Sequence, residues 1–218
     1  MLNYDIQNYA KTGREEHSDA MGLFQRSIKR VFDIVLSLLG LIILSPLYLV
    51  IFVALMFGDG PVIYRQERVG YKGKPFNIFK FRTMSVDAES NGIPRLESER
   101  NRYLTPFGRF LRAYHLDELP QLWNVLIGDM SFVGPRPERQ YFIDQINRET
   151  DDYRYIYLMR PGVTSYATVH NGYTDTMDKM LKRLEYDLEY LDNRTVFTDL
   201  KILASTLVYC IRLFLKRK

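Results

Sequence analysis

From Ile34 to Phe57 the chain carries 24 consecutive residues without a charge, while on both sides polar and apolar positions intermix finely. A straight helix of that length would cross a bilayer core. Ser45-Pro46 falls in its middle, however, where proline removes a backbone donor and clashes with the preceding turn, predicting a kink or break. Each half, about 12 residues and about 18 Å long, is enough to enter one leaflet and turn back. The flanks are basic on both sides, with Arg26, Lys29 and Arg30 before the run and Arg65, Arg68, Lys72 and Lys74 after it. The positive-inside rule then favours both ends on the cytoplasmic face. Proline also occurs in ordinary membrane-crossing helices, so the residues leave a span and a re-entrant hairpin both open. A cleaved signal peptide is not expected, because the run starts late, exceeds a signal's apolar core and lacks an Ala-x-Ala exit.

The remaining pattern predicts short elements. Pro61–Tyr64 and Phe76–Phe81 are aromatic and β-branched, separated by Gly70, Gly73 and Pro75, and read as a β-hairpin or two short strands. Ser85 to Arg102 is dense in charge and turn formers and reads as a mobile loop. Thr105-Pro106 supplies an N-cap and a first-position proline for a helix through Leu111. A second helix is predicted from Asp117 to Ile127, a third from Arg139 to Tyr157, and a turn with a short extended piece at Arg160–Thr164. Met180, Leu181, Leu184, Leu188 and Leu191 recur at helical spacing. Phe197 to Leu215 mixes apolar residues with Asp199, Lys201 and Arg212 and ends in Lys216-Arg217-Lys218. It reads either as an amphipathic helix on anionic lipid or as a core-packed terminal helix.

The expected fold class is thus α+β, mostly helical. Its parts are a polar lead-in over 1–25, an apolar broken helix over 26–58, a catalytic domain with a small hairpin over 59–195, and an amphipathic helix over 196–218. At 218 residues one compact domain with appendages is expected. A formal charge of +4, spread along the chain, gives no footprint for a nucleic-acid partner. The single cysteine, Cys210, excludes an intramolecular disulfide and reads as a small apolar residue.

The chemistry gathers around Asp117-Glu118. Adjacent acids at a helix start are ordinary capping residues, and an Asp-Glu pair also occurs in nucleotide hydrolases. The chain has no GxxxxGK[ST] loop, which removes the usual partner of the latter. Here the surroundings are cationic: Arg112 lies five residues before Asp117, Arg136 sits in a Gly-Pro-Arg-Pro turn, and Lys80 and Arg82 stand in Phe79-Lys-Phe-Arg-Thr-Met84. Guanidinium forks suit phosphate oxygens, and a carboxylate that must attack a phosphate needs such cations beside it. His17, His115 and His170 lack zinc-like spacing.

These residues resemble a known family, the bacterial sugar transferases, small monotopic phosphoglycosyl transferases of the undecaprenyl-phosphate sugar phosphotransferase type. The resemblance runs from Lys29 to Leu203. It rests on Lys29-Arg30-x-x-Asp33, the apolar run with Ser45-Pro46, Val62-Ile-Tyr-Arg-Gln-Glu-Arg-Val-Gly70, Phe79–Met84, Leu116-Asp-Glu-Leu-Pro-Gln121, Asn124-Val-Leu-x-Gly-Asp-Met-Ser131, Gly134-Pro-Arg-Pro137 and Arg160-Pro-Gly-Val-Thr164. It implies a monotopic protein whose re-entrant helix breaks at Ser45 and Pro46. It also implies transfer of a sugar-1-phosphate from a UDP-sugar to polyprenol (undecaprenyl) phosphate, releasing UMP and initiating a bacterial surface glycan such as capsule, exopolysaccharide or lipopolysaccharide. On that likeness Asp117 is the nucleophile, and Glu118 with Asp117 holds Mg²⁺. Arg112 and Arg136 neutralise phosphate charge, with Lys80 and Arg82 as further phosphate-binding candidates. The implied place is the bacterial inner membrane, with the catalytic domain on the cytosolic face in contact with membrane lipid. A homo-oligomer stays open. The chain departs from the family pattern at Ser165–Tyr173, where many members continue Gly-Trp-Ala-Gln-Val, and at His115, where Ser or Thr is common.

Two other readings compete. A conventional glycosyltransferase would release UDP and need no carboxylate–phosphate intermediate, and a membrane-anchored scaffold would not need Asp117, Glu118, Arg112 and Arg136 together.

Overall fold

The computed structural model describes residues 16–85, 103–171 and 176–216. It is mostly helical, with a small β-hairpin, as the pattern of polarity predicts. The loop expected over Ser85–Arg102 falls almost wholly outside the described residues, as do positions 1–15 of the lead-in.

The apolar run forms two helices, α1 (Leu23–Ile43) and α2 (Ser45–Met56), bent by 61° at their junction. The cause is local. Pro46 has no N–H to give to the carbonyl four residues back, and the Ser45 hydroxyl donates to that Ile42 carbonyl instead, at 2.8 Å. The halves are unequal: α1 extends back to Leu23, so its first turns lie outside the apolar run. Among the described residues no single helix is long and apolar enough to cross a membrane. Both outer faces nonetheless carry bare apolar side chains, with Ile43 71%, Leu49 63% and Val50 64% exposed. The inner face of α2 is different, because Ile51 and Leu55 pack with Phe81 and Leu111.

The hairpin pairs β1 (Ile63–Val69) with β2 (Pro75–Phe81), in register from Ile63↔Phe81 to Val69↔Pro75. Its turn needs left-handed backbone at Lys72 and Gly73. Thr105 caps α3 (Pro106–Ala113) by accepting the Gly108 N–H at 2.9 Å, as expected. A 3-10 turn over Leu116–Glu118 leads into α4 (Gln121–Ile127), followed by β3 (Ser131–Val133) and α5 (Gln140–Glu149). The helix predicted to run on to Tyr157 stops at Thr150 and resumes as a 3-10 stretch over Asp152–Leu158. Thr150 is the reason: its hydroxyl bonds both the Asp152 carboxylate and the Asp152 N–H, offering the backbone an alternative to the helix.

Strand β4 (Gly162–Thr164) pairs in parallel with β3. The chains pass so closely that a Cβ on Gly134 would lie 2.2 Å from the Arg160 carbonyl oxygen, and one on Gly162 would lie 2.2 Å from Gly134 N. Both glycines of the two turn motifs are therefore demanded by space. Helices α6 (Tyr166–Asn171), α7 (Met177–Asn193) and α8 (Val196–Lys216) complete the chain. Met180, Leu184, Leu188 and Leu191 of α7 close the main core against α5, the 3-10 stretch and Ile202 of α8.

Two expectations need correction. The polar lead-in over 1–25, read from its mixed composition as mobile or lightly packed, is packed over residues 16–22: Met21 is fully buried, Ala20 N donates to the Leu191 carbonyl, and Asp19 pairs with Arg194. Asp199 is no surface charge of an amphipathic face. It is buried, receives the Lys29 ammonium at 2.5 Å and the Tyr190 hydroxyl, and so pins the start of α8. Beyond it Leu207, Ile211 and Leu215 stay exposed.

Candidate active site

The motif Lys29-Arg30-x-x-Asp33 fastens α1 to the domain. Lys29 also donates to the Val133 carbonyl at 2.9 Å. Arg30 caps the C-terminal carbonyls of α4 through Val125 and Leu126. Asp33, buried, accepts from Ser131 Oγ and Phe132 N. Just past the bend, in the first turn of α2, the Tyr48 hydroxyl donates to the Leu119 carbonyl, one residue beyond the acidic pair. The bent apolar helices and the acidic loop are thus built as one unit.

Asp117 and Glu118 lie in the 3-10 turn, one turn ahead of α4, whose N-cap is Pro120. The expectation that Asp117 caps a regular helix is therefore corrected. His115 adopts left-handed backbone (φ 54°) and redirects the chain before the turn, and proline at the N-cap has no side-chain acceptor. No helix terminus holds Asp117 ionised. Asp117 is buried, and that burial, with the charge of Glu118 next to it, raises its carboxyl above the ordinary range. Lys80, Arg112 and His115 oppose the rise. Glu118 goes the other way. Burial alone would raise it, but Lys80 and Arg136 bring it down to about 2. The Lys80 ammonium lies 2.5 Å from Glu118 Oε1.

Lys80 reaches this position because the buried Asn124 side chain clamps β2. Its carbonyl accepts from Phe79 N at 3.0 Å and its amide donates to the Asn77 carbonyl at 2.7 Å. Arg112, on the last turn of α3, has a buried Nη1 with no hydrogen-bond partner among the described residues. A buried guanidinium N–H left open beside a carboxylate pair is a ready donor for an anionic oxygen. Arg136 is exposed and its charge acts on Glu118.

Arg82 does not join them. It turns the other way, buried, and donates to the carbonyls of Leu55, Gly60 and Pro61, capping the end of α2. Its place in the motif is structural, because the carbonyls left open at that helix end need a cation. Ser45 and Pro46 likewise make the helix break and stand apart from the chemistry.

The buried charges behind the Gly-Pro-Arg-Pro turn were not legible from spacing along the chain. Glu138 accepts from Arg183 at 2.5 Å and faces Arg68 at 3.7 Å, while Arg68 donates to the Pro137 carbonyl at 3.0 Å. Arg183 comes from α7, and only its polar position on an otherwise apolar helix face hinted at a buried role. Asp187, one turn further on, lines a small cavity with Arg136 and Arg183, and burial pushes its carboxyl up to about 7. Of the segment that departs from the family pattern, Ser165 Oγ caps α6 through Thr168 N at 2.9 Å, and the Tyr166 ring lies 4.2 Å from that of His170. Gly172 and Tyr173 lie outside the described residues.

Among the described residues no group of three or more His, Cys, Asp or Glu side chains gathers as a metal cage. The donor set at Asp117 and Glu118, a pair of carboxylates with one firmly ionised, is what Mg²⁺ takes when substrate phosphates supply its other oxygens.

A bent apolar helix pair is fastened to an acid pair ringed by cations. The chain belongs to the bacterial sugar transferase family, whose model matches residues 24–213. It is 41% identical over 184 residues to a UDP-glucose:undecaprenyl-phosphate glucose-1-phosphate transferase of Escherichia coli (strain K12), covering 83% of this chain and 39% of that one. It is 37% identical over 181 residues to the UDP-N-acetylgalactosamine-undecaprenyl-phosphate N-acetylgalactosaminephosphotransferase of Aeromonas hydrophila (83% and 43% covered). An undecaprenyl-phosphate galactose phosphotransferase of Salmonella typhimurium (strain LT2) is 39% identical over 195 residues (83% and 40% covered). The chain thus spans about two fifths of the length of these relatives.

Proposed function

We propose that this protein transfers a sugar-1-phosphate from a UDP-sugar to polyprenol phosphate, releasing UMP, as the first membrane step of a bacterial surface glycan. The observation that carries the reading is the pairing of a buried, raised Asp117 with a low Glu118, beside Lys80 at 2.5 Å and the open Nη1 of Arg112.

Raising the Asp117 carboxyl makes its ionised form a better nucleophile. One Asp117 oxygen attacks the sugar-bearing phosphorus, the bond from that phosphorus to the UMP oxygen breaks, and the phosphosugar stays on Asp117 as an acyl phosphate. A phosphate oxygen of the lipid then attacks the same phosphorus, and Asp117 departs as carboxylate. Arg112 and Lys80 meet the equatorial oxygens, and Arg136 offsets charge from the exposed side. Glu118, with Asp117, would hold Mg²⁺, which supplies charge neutralisation across the diphosphate when bound. The relatives named above differ in donor sugar, so the donor is taken as one UDP-sugar of that range.

The reading also places the enzyme. Residues 16–22, ahead of α1, pack on α7, and α2 leads directly into β1, so both ends of the bent pair return to one domain. That favours a re-entrant hairpin in the inner membrane with the site at the cytosolic headgroup plane, where a soluble nucleotide and a lipid acceptor meet. The exposed apolar face of α8 would lie along the same surface.

The test is nucleotide release from detergent-solubilised protein given Mg²⁺, undecaprenyl phosphate and a panel of UDP-sugars. UMP with one donor, lost in Asp117→Asn, is the expected result, whereas UDP would mean an ordinary glycosyltransferase.

A further inference from the structure

Apart from Ser45, Tyr48 carries the only polar side chain of α2. A hydroxyl on an apolar helix costs free energy unless it finds an acceptor. Tyr48 shares the inner face of α2 with Ile51 and Leu55, and there its hydroxyl donates to the Leu119 carbonyl while its ring packs on Phe81, with 5.6 Å between ring centres. The same carbonyl also accepts Leu122 N at 3.0 Å, so Tyr48 is not needed to satisfy it.

The apolar cluster on this face reaches every charged group of the site but Arg136 through a chain neighbour. Phe81 follows Lys80, Leu111 precedes Arg112, and Leu116 and Leu119 bracket Asp117-Glu118. Successive side chains of a strand point to opposite faces, so seating Phe81 on α2 turns Lys80 away from the cluster and toward Glu118. The acid turn itself is lightly held along the chain. Its Glu118 and Leu119 N–H groups reach the His115 and Leu116 carbonyls at 3.3 and 3.4 Å, long for such bonds, and His115 before it is left-handed. Fixing a turn of this kind falls to contacts from outside it, and Tyr48 makes the polar one from α2.

We propose that Tyr48 is a positioning residue for the transfer: the Tyr48–Leu119 bond sets where the acid turn stands between Lys80 and Arg112, so that the seating of α2 fixes the geometry in which Asp117 attacks. This role rests on the phosphosugar-transfer reading, which supplies the nucleophile that the turn must place. Tyr48 acts through the Leu119 backbone and not on substrate.

The experiment compares the full chain with Tyr48→Phe, which keeps the ring on Phe81 and removes only the hydroxyl, and with Tyr48→4-aminophenylalanine, which returns a donor. Detergent-solubilised protein is mixed with Mg²⁺ and the UDP-sugar that gives UMP, and quenched at short times. Loosening the turn should slow UMP release at saturating donor about tenfold in Tyr48→Phe, with the donor KM unchanged, and 4-aminophenylalanine should restore most of the rate. The thermal midpoint should hold, because the Leu119 carbonyl keeps the Leu122 N–H. Hydrogen exchange over residues 114–122 should quicken in Tyr48→Phe while that of α7 stays the same. A rate that does not fall, or a loss that 4-aminophenylalanine fails to restore, overturns the proposal. So does a lowered thermal midpoint with the rate per folded molecule intact, which leaves Tyr48 a fastener of α2 only. If the unaltered protein releases no UMP with any donor, the transfer reading falls and the exchange decides alone. Faster exchange over 114–122 then sustains the hold of Tyr48 on the acid turn, and unchanged exchange strikes it.

Discussion

Residues with opposite electrostatic fates sit side by side at the heart of this protein. Burial and the Glu118 charge lift Asp117, while Lys80 and Arg136 keep Glu118 low. Of this pair only Asp117 is therefore raised above the ordinary carboxylate range, which lies near 4. The acid limb of the donor half-reaction should lie above that range, with rate gained as pH rises through it, and Glu118→Gln should move the limb down by removing the negative neighbour. A pre-steady-state pH profile of UMP release reads both. Asp117→Asn should reduce release by roughly four orders of magnitude. Asp187 gives a separate pH signal, in stability. Burial raises its carboxyl from 3.8 to about 7, so the folded state binds a proton that the unfolded state has lost. Stability then falls as pH rises between those values, by up to about 4 kcal/mol. Asp187→Asn should flatten that fall in thermal melts taken from pH 4 to pH 8. The acid pair with Arg112 and Arg136 was legible in the sequence because all four lie close along the chain, whereas Lys80, 38 residues from Glu118, was pointed to only by its motif. The Glu138–Arg183–Asp187 cluster was not legible, because its members are 45 and more residues apart or lie on a helix whose apolar spacing dominates the reading.

At the scale of elements, local rules read well and tertiary partners read badly. The Thr105 cap and the Ser45-Pro46 break follow from a few adjacent residues and form as expected, while the hairpin forms with its first strand at Ile63–Val69 and not at Pro61–Tyr64. Arg82 shows the opposite case. Its motif suggested a phosphate ligand, but the cation is consumed by carbonyls of Leu55, Gly60 and Pro61, brought near only once α2 docks on β2. Arg82→Gln should therefore cost about 1–3 kcal/mol of stability by leaving buried carbonyls unpaired. The KM for the UDP-sugar should stay unchanged in the folded fraction. Thermal unfolding together with donor kinetics separates this from a phosphate-binding role, in which KM would rise and stability would hold. Thr150 is the other instructive miss, since one side chain bonding its own neighbourhood ends a helix that periodicity alone would continue.

The whole molecule is arranged so that one bent apolar hairpin and one domain share their polar contacts. Lys29, Arg30 and Asp33 fasten α1 to α8, α4 and β3, and Tyr48 fastens α2 to the loop carrying the acid pair. In a Cys210→Ser background, Ser18→Cys and Glu149→Cys should label from the same side of sealed inverted vesicles. Labelling from opposite sides would mean that the apolar pair crosses the bilayer. The central claim of the proposed function is that phosphosugar passes through Asp117. Its most direct test is peptide mass spectrometry of protein quenched with its UDP-sugar in the absence of lipid acceptor. The account predicts a sugar-phosphate adduct on the peptide containing Asp117, discharged on adding undecaprenyl phosphate. UDP release with no adduct at any quench time would contradict it.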